Sequence, residues 1–217
     1  MKKPNSNFGR SGLTLVEVLV VIVVLAVLVA MLLPATVGNG RSKMARCLSN
    51  LHEMLIAFTV FANDNNGEFP MQIPVAKGGT MEFAYSGHTF PHFEKMRAYG
   101  TTLQMLICPA ETNRQAATSF KALNDLNLSY FVNVDASTND PSHVILVGDR
   151  FLQVGGQPAA HGLLNVTSNL NLSWTRNFHG SGGNFAFADG HVESSRDNNL
   201  ASQIASQPLA TNRFSIP

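Results

Sequence analysis

A run of 21 residues, 13–33, is apolar except for Thr14 and a single charge, Glu17. A helix needs about 20 apolar residues to span a bilayer, so this segment is long enough. A secretory signal peptide has a shorter core, about 7–15 residues, with its small-residue cleavage site behind that core. Here Gly12 lies ahead of the core, so a cut after it would leave the apolar run in the mature chain. A carboxylate at the bilayer centre costs about 2.5–3.5 kcal/mol on insertion scales, so Glu17 calls for a partner. The other reading is a plain signal anchor whose glutamate, one turn from the polar end, reaches the interface. Lys2, Lys3 and Arg10 place the leader in the cytoplasm by the positive-inside rule, while Arg41, Lys43 and Arg46 on the far side pull against it.

Beyond the run, Pro34 and the Gly38-Asn39-Gly40 stretch are weak points for a helix. From residue 42 to 63 the helical period returns: Met44, Cys47, Leu48, Leu51, Leu55, Phe58 and Ala62 recur at spacings of three and four. Asn63-Asp64-Asn65-Asn66-Gly67 is a stop signal. A helix continuous over 13–63 would be about 75 Å long. Residues 64–217 suffice for one domain. Within them, 128–134 and 143–148 read as strands, and 184–188 with 191–194 as a hairpin. Asp189-Gly190 suits the two positive-φ positions of a type I′ turn between them. Residues 67–100 show no period, and the tail from Asn198 holds a short helix and then loses pattern.

Gly12-Leu13-Thr14-Leu15-Val16-Glu17, behind a basic leader and ahead of an unbroken apolar helix, resembles the cleavage and methylation signal of type IV pilins and type II secretion pseudopilins. Residues 46–70, the Cys108-Pro109 pair, and His179 followed after nine residues by Asp189-Gly190 are similar to a group of bacterial pilin-like proteins of planctomycetes and verrucomicrobia. The resemblance implies an α+β pilin-like fold, with a long N-terminal helix packed on a small domain with an antiparallel sheet. It implies a leader at 1–12, a transmembrane or filament-core helix at 13–33, an amphipathic continuation at 34–63 and an extracytoplasmic domain at 64–217. It also implies a prepilin peptidase cutting after Gly12 and methylating Leu13. Glu17 would then pair with the new amine of a neighbouring subunit. The expected partners are that peptidase, identical or related subunits and the inner membrane, in a pilus-like filament or a type II secretion pseudopilus. The alternative is a non-polymerising, membrane-tethered module that binds glycan or calcium.

Loss of residues 1–12 removes three basic residues and no acidic ones, taking the formal charge from +1 to −2. Neither a basic stripe nor an aromatic RNA-binding motif is present, so no nucleic-acid partner is expected. Cys47 and Cys108 can form a disulfide in an oxidising compartment, or stand as two separate buried thiols. His179, Asp189 and His191 offer ligand types for a metal. The simpler reading is structural: a glycine-rich bend leading into a hairpin whose turn Asp189 caps. Calcium at Asp189, Asp197 and Asn198 is an alternative, and otherwise no cofactor is expected. Ser181, His179 and Asp189 contain the residue types of a hydrolase triad, but His-Gly-Ser-Gly-Gly is not a nucleophile elbow, so no enzyme is expected. His52, His88, His92, His143 and His161 read as surface or loop histidines, and Asp149-Arg150 as a local ion pair or turn.

Overall fold

The computed structural model describes residues 12, 14–32, 39–139, 142–209 and 212–217. The chain divides into two units, residues 1–38 and 39–217. In the first, helix α1 covers Leu15–Leu32. Its large apolar side chains are exposed on every face, from Val18 at 44% to Leu15 at 80%. A helix that is apolar all round needs apolar surroundings on all sides. At 18 residues it is about 27 Å long, and among the described residues no helix is long and apolar enough to cross a membrane. Leu13, Leu33, Pro34 and the expected continuity into the second helix lie outside the described residues.

The second unit begins with α2, Asn39–Asp64. Cys47, Leu51, Met54, Leu55, Phe58, Phe61 and Ala62 form its buried stripe at the helical period. Met44 and Leu48, expected in that core wall, are only half-buried. The helix stops where expected: Gly67 N donates to Ala62 O at 2.8 Å, and both Asn66 (φ 56°) and Gly67 (φ 83°) are left-handed. The unpatterned stretch that follows folds as short turns of 3₁₀ helix with α3 (Met81–Ala84) and α4 (Phe90–Lys95).

Six strands form one antiparallel sheet in the order β5-β9-β1-β2-β7-β8: β5 Gly162–Asn165, β9 Arg213–Ile216, β1 Tyr130–Asn133, β2 Ile145–Asp149, β7 Gly182–Phe187 and β8 Val192–Arg196. A second sheet, β4-β3-β6, uses Gln157–Pro158, Leu152–Val154 and Leu172–Trp174. Helices α5 (Arg176–His179) and α6 (Asp197–Ala205) flank β7 and β8 in sequence. α2 packs against β7, β8 and β2. Phe131 stacks on Phe214 at 4.3 Å and meets Phe185 edge-on at 6.1 Å. The α+β class with an antiparallel sheet is as expected.

Two local readings differ. The tail does not lose structure, because residues 213–216 form a strand inside the sheet. The hairpin turn is not type I′ either. Gly190 N donates to Phe187 O, Phe187 N donates to His191 O, and only Gly190 (φ 103°) has positive φ. That is a three-residue loop, a type I turn closed by a left-handed glycine, which frees Asp189 from the strained position.

Candidate functional site

At the N-terminus, the features expected to carry function lie within one turn. Thr14 N and Thr14 Oγ1 each donate to Glu17 Oε2 at 2.8 Å, and Glu17 N donates to Thr14 Oγ1 at 3.3 Å. This is a reciprocal capping box, in which side chains three residues apart satisfy each other's backbone donors at the start of a helix. Thr14-x-x-Glu17 is its sequence signature, a second role for Glu17 beside its charge. Among the described residues Glu17 has no charged partner. Among the described residues, a Cβ on Gly12 would meet nothing within 4 Å. Leu13 lies outside the described residues.

In the second unit, four reactive side chains from distant parts of the chain converge. Tyr130 of β1 and Asp149 of β2 are cross-strand partners, and Asn184 follows on β7. Cys47 projects from the buried face of α2. Cys108 opens a turn in which Glu111 N donates to Cys108 O at 2.8 Å. His179 ends α5, where Phe178 stacks on Phe151 at 3.8 Å and the positive φ of Gly180 and Ser181 turns the chain into β7. The ligand atoms of Cys47, Cys108, Asp149 and His179 all lie within 4.8 Å of one another.

The contacts are specific. Cys47 Sγ lies 3.2 Å from Asp149 Oδ1 and 3.2 Å from the Tyr130 hydroxyl. Cys108 Sγ lies 3.2 Å from His179 Nε2, and His179 Nε2 is 3.7 Å from Asp149 Oδ2. Asn184 donates to Asp149 Oδ2 from its backbone N (2.8 Å) and its Nδ2 (2.9 Å). Ala110 N donates to Cys108 Sγ at 3.4 Å. The side chains of Asp149 and His179 and both cysteines are fully enclosed. Burial pushes the Asp149 carboxyl up to about 7 and the Cys47 thiol far above its ordinary value. Cys108 is drawn down to about 6, first by its hydrogen bond with Cys47 and then, against burial, by His179. Burial opposes the charge on His179, but Cys108 and Asp149 prevail and raise its pKa.

Both cysteines are free thiols, buried but not separate. His179 joins them rather than Asp189. The length of β7, about 20 Å at 3.3 Å per residue, separates it from Asp189. Asp189 instead holds His191 across the hairpin turn at 2.5 Å. Asp197, the first residue of α6, accepts from Trp174 N at 2.6 Å. With Asn198 it lies at the opposite end of β8 from Asp189, so the calcium set is not gathered. Asp149 does not pair with Arg150, which turns to Glu111 at 2.6 Å.

Nor are the remaining histidines all superficial. His92 is fully buried, while His88 Nδ1 (2.9 Å) and His161 Nε2 (3.2 Å) share Asp125 Oδ2. Asp125 Oδ1 accepts from the backbone N of Thr89 and Phe90 at the start of α4.

Residues 7–33 match the family model of the prokaryotic N-terminal methylation motif. The segment is thus a prepilin-type signal, the mark of a type IV pilin-like precursor processed by a prepilin peptidase. No curated protein and no solved structure matches the chain.

Proposed function

We propose that this chain is a structural subunit of a type IV pilus-like or type II secretion pseudopilus filament. The peptidase removes residues 1–12 and methylates Leu13. Residues 13–33 hold the subunit in the inner membrane, 34–63 continue as the amphipathic helix, and 64–217 form an extracytoplasmic head. Assembly then runs through the apolar helix, with identical or related subunits as partners.

The observation that supports this best is the capping box within the matched motif. Glu17 reaches back toward the scissile end and bonds Thr14, the residue next to Leu13. This cap holds the carboxylate in the precursor. An amine beside it attracts it more strongly in a packed, low-dielectric helix bundle than in water. The amine of a cleaved neighbour would compete with Thr14 for that carboxylate, and the exchange would couple cleavage to assembly. The all-round apolar exposure of α1 also suits a helix that is covered by other helices.

N-terminal mass spectrometry of protein extracted from peptidase-containing membranes tests the processing. The mature chain should begin at N-methylated Leu13, and an intact Met1 would sink the reading. Glu17→Ala should abolish filament incorporation while leaving the head folded. A tethered binding module would be indifferent to that change.

A further inference from the structure

The buried cluster has no place in that role, and its chemistry is specific enough to carry a separate conclusion. We propose that Cys47, Cys108, Asp149 and His179 form a closed, four-ligand structural site for a divalent cation of the zinc class.

The ligand atoms are spaced for it. Zinc bonds of about 2.0–2.3 Å to S, N and O put tetrahedral neighbours about 3.3–3.8 Å apart. The separations are 3.2 Å for Cys108 Sγ to His179 Nε2 and 3.2 Å for Cys47 Sγ to Asp149 Oδ1, just below that range, and 3.7 Å for His179 Nε2 to Asp149 Oδ2, within it. Two sulfurs, one imidazole and one carboxylate match a tetrahedral zinc set. An all-oxygen shell, as calcium and magnesium require, is not offered.

The surroundings also suit ligands. In metal sites the coordinating side chains are oriented by their own hydrogen bonds. Here Asn184 donates twice to Asp149, Ala110 N donates to Cys108, and the Tyr130 hydroxyl lies against Cys47. Asn184 is itself held by Ser194 Oγ at 2.7 Å. In this cluster, His179 Nδ1 has no hydrogen-bond partner among the described residues.

Three other uses of the cluster fit less well. A nucleophilic Cys108–His179 pair would need access for a substrate, and both side chains are sealed. A Cys47–Cys108 disulfide would consume the two sulfurs and leave the fully buried Asp149 carboxylate with the two Asn184 donors and the His179 imidazole. A purely hydrogen-bonded network leaves the same carboxylate with His179 as its cationic neighbour among the described residues, since the adjacent Arg150 is committed to Glu111. Buried charges are paired or bind metals, and a divalent cation answers all four groups at once. Binding involves no redox change: the thiol protons of Cys47 and Cys108 leave to solvent and the sulfurs bind as thiolates. The cation would tie α2, the Cys108 turn, the end of β2 and the end of α5 together. Its binding energy would thus act as folding energy for the second unit.

The test uses the full chain, purified from membranes in detergent without chelator and under reducing conditions. Elemental analysis should find one zinc per chain. Replacement by cobalt should give a thiolate-to-cobalt charge-transfer band with intense tetrahedral visible absorption. Cys108→Ser should lose both. Should that variant not fold, the wild-type chain decides: stripping with a strong chelator should lower its melting temperature, and zinc alone, not magnesium, should restore it. Reduced, metal-free protein that melts unchanged and takes up neither zinc nor cobalt overturns the site. A zinc-loaded chain that still carries Met1 would refute the processing reading and leave this one standing.

Discussion

Acid should unfold the second unit through His92. This imidazole is fully buried. Its Nδ1 meets Thr80 Oγ1 at 2.7 Å, and its Nε2 has no partner among the described residues. Burial lowers its pKa from 6.5 to about 4, against a weaker opposing pull from Asp125. Between those values the unfolded chain binds a proton that the folded chain refuses. The stability contribution is therefore complete above pH 6.5 and lost as pH falls toward 4. The drop from 6.5 to about 4, at about 1.4 kcal/mol per pH unit, gives roughly 3–4 kcal/mol in full, and somewhat over 2 of it is gone by pH 4.5. That is a large share of a typical 5–15 kcal/mol. The assay is urea unfolding of the full chain at pH 7 and pH 4.5, followed by fluorescence of the lone tryptophan, Trp174, which is buried in this unit. His92→Gln cannot take up the proton, so its stability should fall by about 2 kcal/mol less than wild type over that interval. Asp125 and Asp149 titrate in both proteins and cancel in the comparison. If wild type and variant lose stability in parallel, the reasoning is wrong.

Three further outcomes follow from the packing. Gly183→Ala would drive its Cβ to 2.3–2.6 Å from the Trp174 ring, so it should cost about 1–3 kcal/mol and shift the tryptophan emission. Hydrogen bonds from His88, Phe90 N, His161 and Thr89 N hold the Asp125 carboxyl below its ordinary range against the pull of burial. Stability from this group should persist above the unfolded value of about 3.9 and fade as pH drops through the lower folded value, and Asp125→Asn should flatten that limb of an acid titration. Asp135 grips Arg213 through its backbone N (2.9 Å) and its guanidinium. Asp135→Ala should cost about 1–3 kcal/mol and speed hydrogen exchange in β9 before it does so in β2.

The elements legible in the sequence were those whose pattern is local. α2 showed through its three-and-four spacing and the Asn-Asp-Asn-Asn-Gly stop, and β1, β2 and the β7–β8 hairpin through β-branched and aromatic runs. β9 was not legible because Arg-Phe-Ser-Ile is too short to show alternation, and Phe214 is buried only by the neighbours its sheet supplies. The site was legible only in part. Cys47 and Cys108 read as a candidate pair and His179 as a candidate ligand, but their meeting with Asp149 depends on β1, β2 and β7 bringing that residue beneath α2. A carboxylate directly continuing the apolar run 143–148 was the available signal for Asp149. It was masked by Arg150, whose true partner, Glu111, is 39 residues away.

The place of β9 also orders events in time. Residues 213–216 sit between β5 and β1, so the six-stranded sheet cannot close until residue 216 has been made and delivered. Until then β1 and β5 have open edges, and unpaired edges recruit other strands. A chain stalled or cut short before residues 213–216 would therefore leave β1 and β5 unjoined. Strand order thus makes closure of the sheet wait on the last of the described strands.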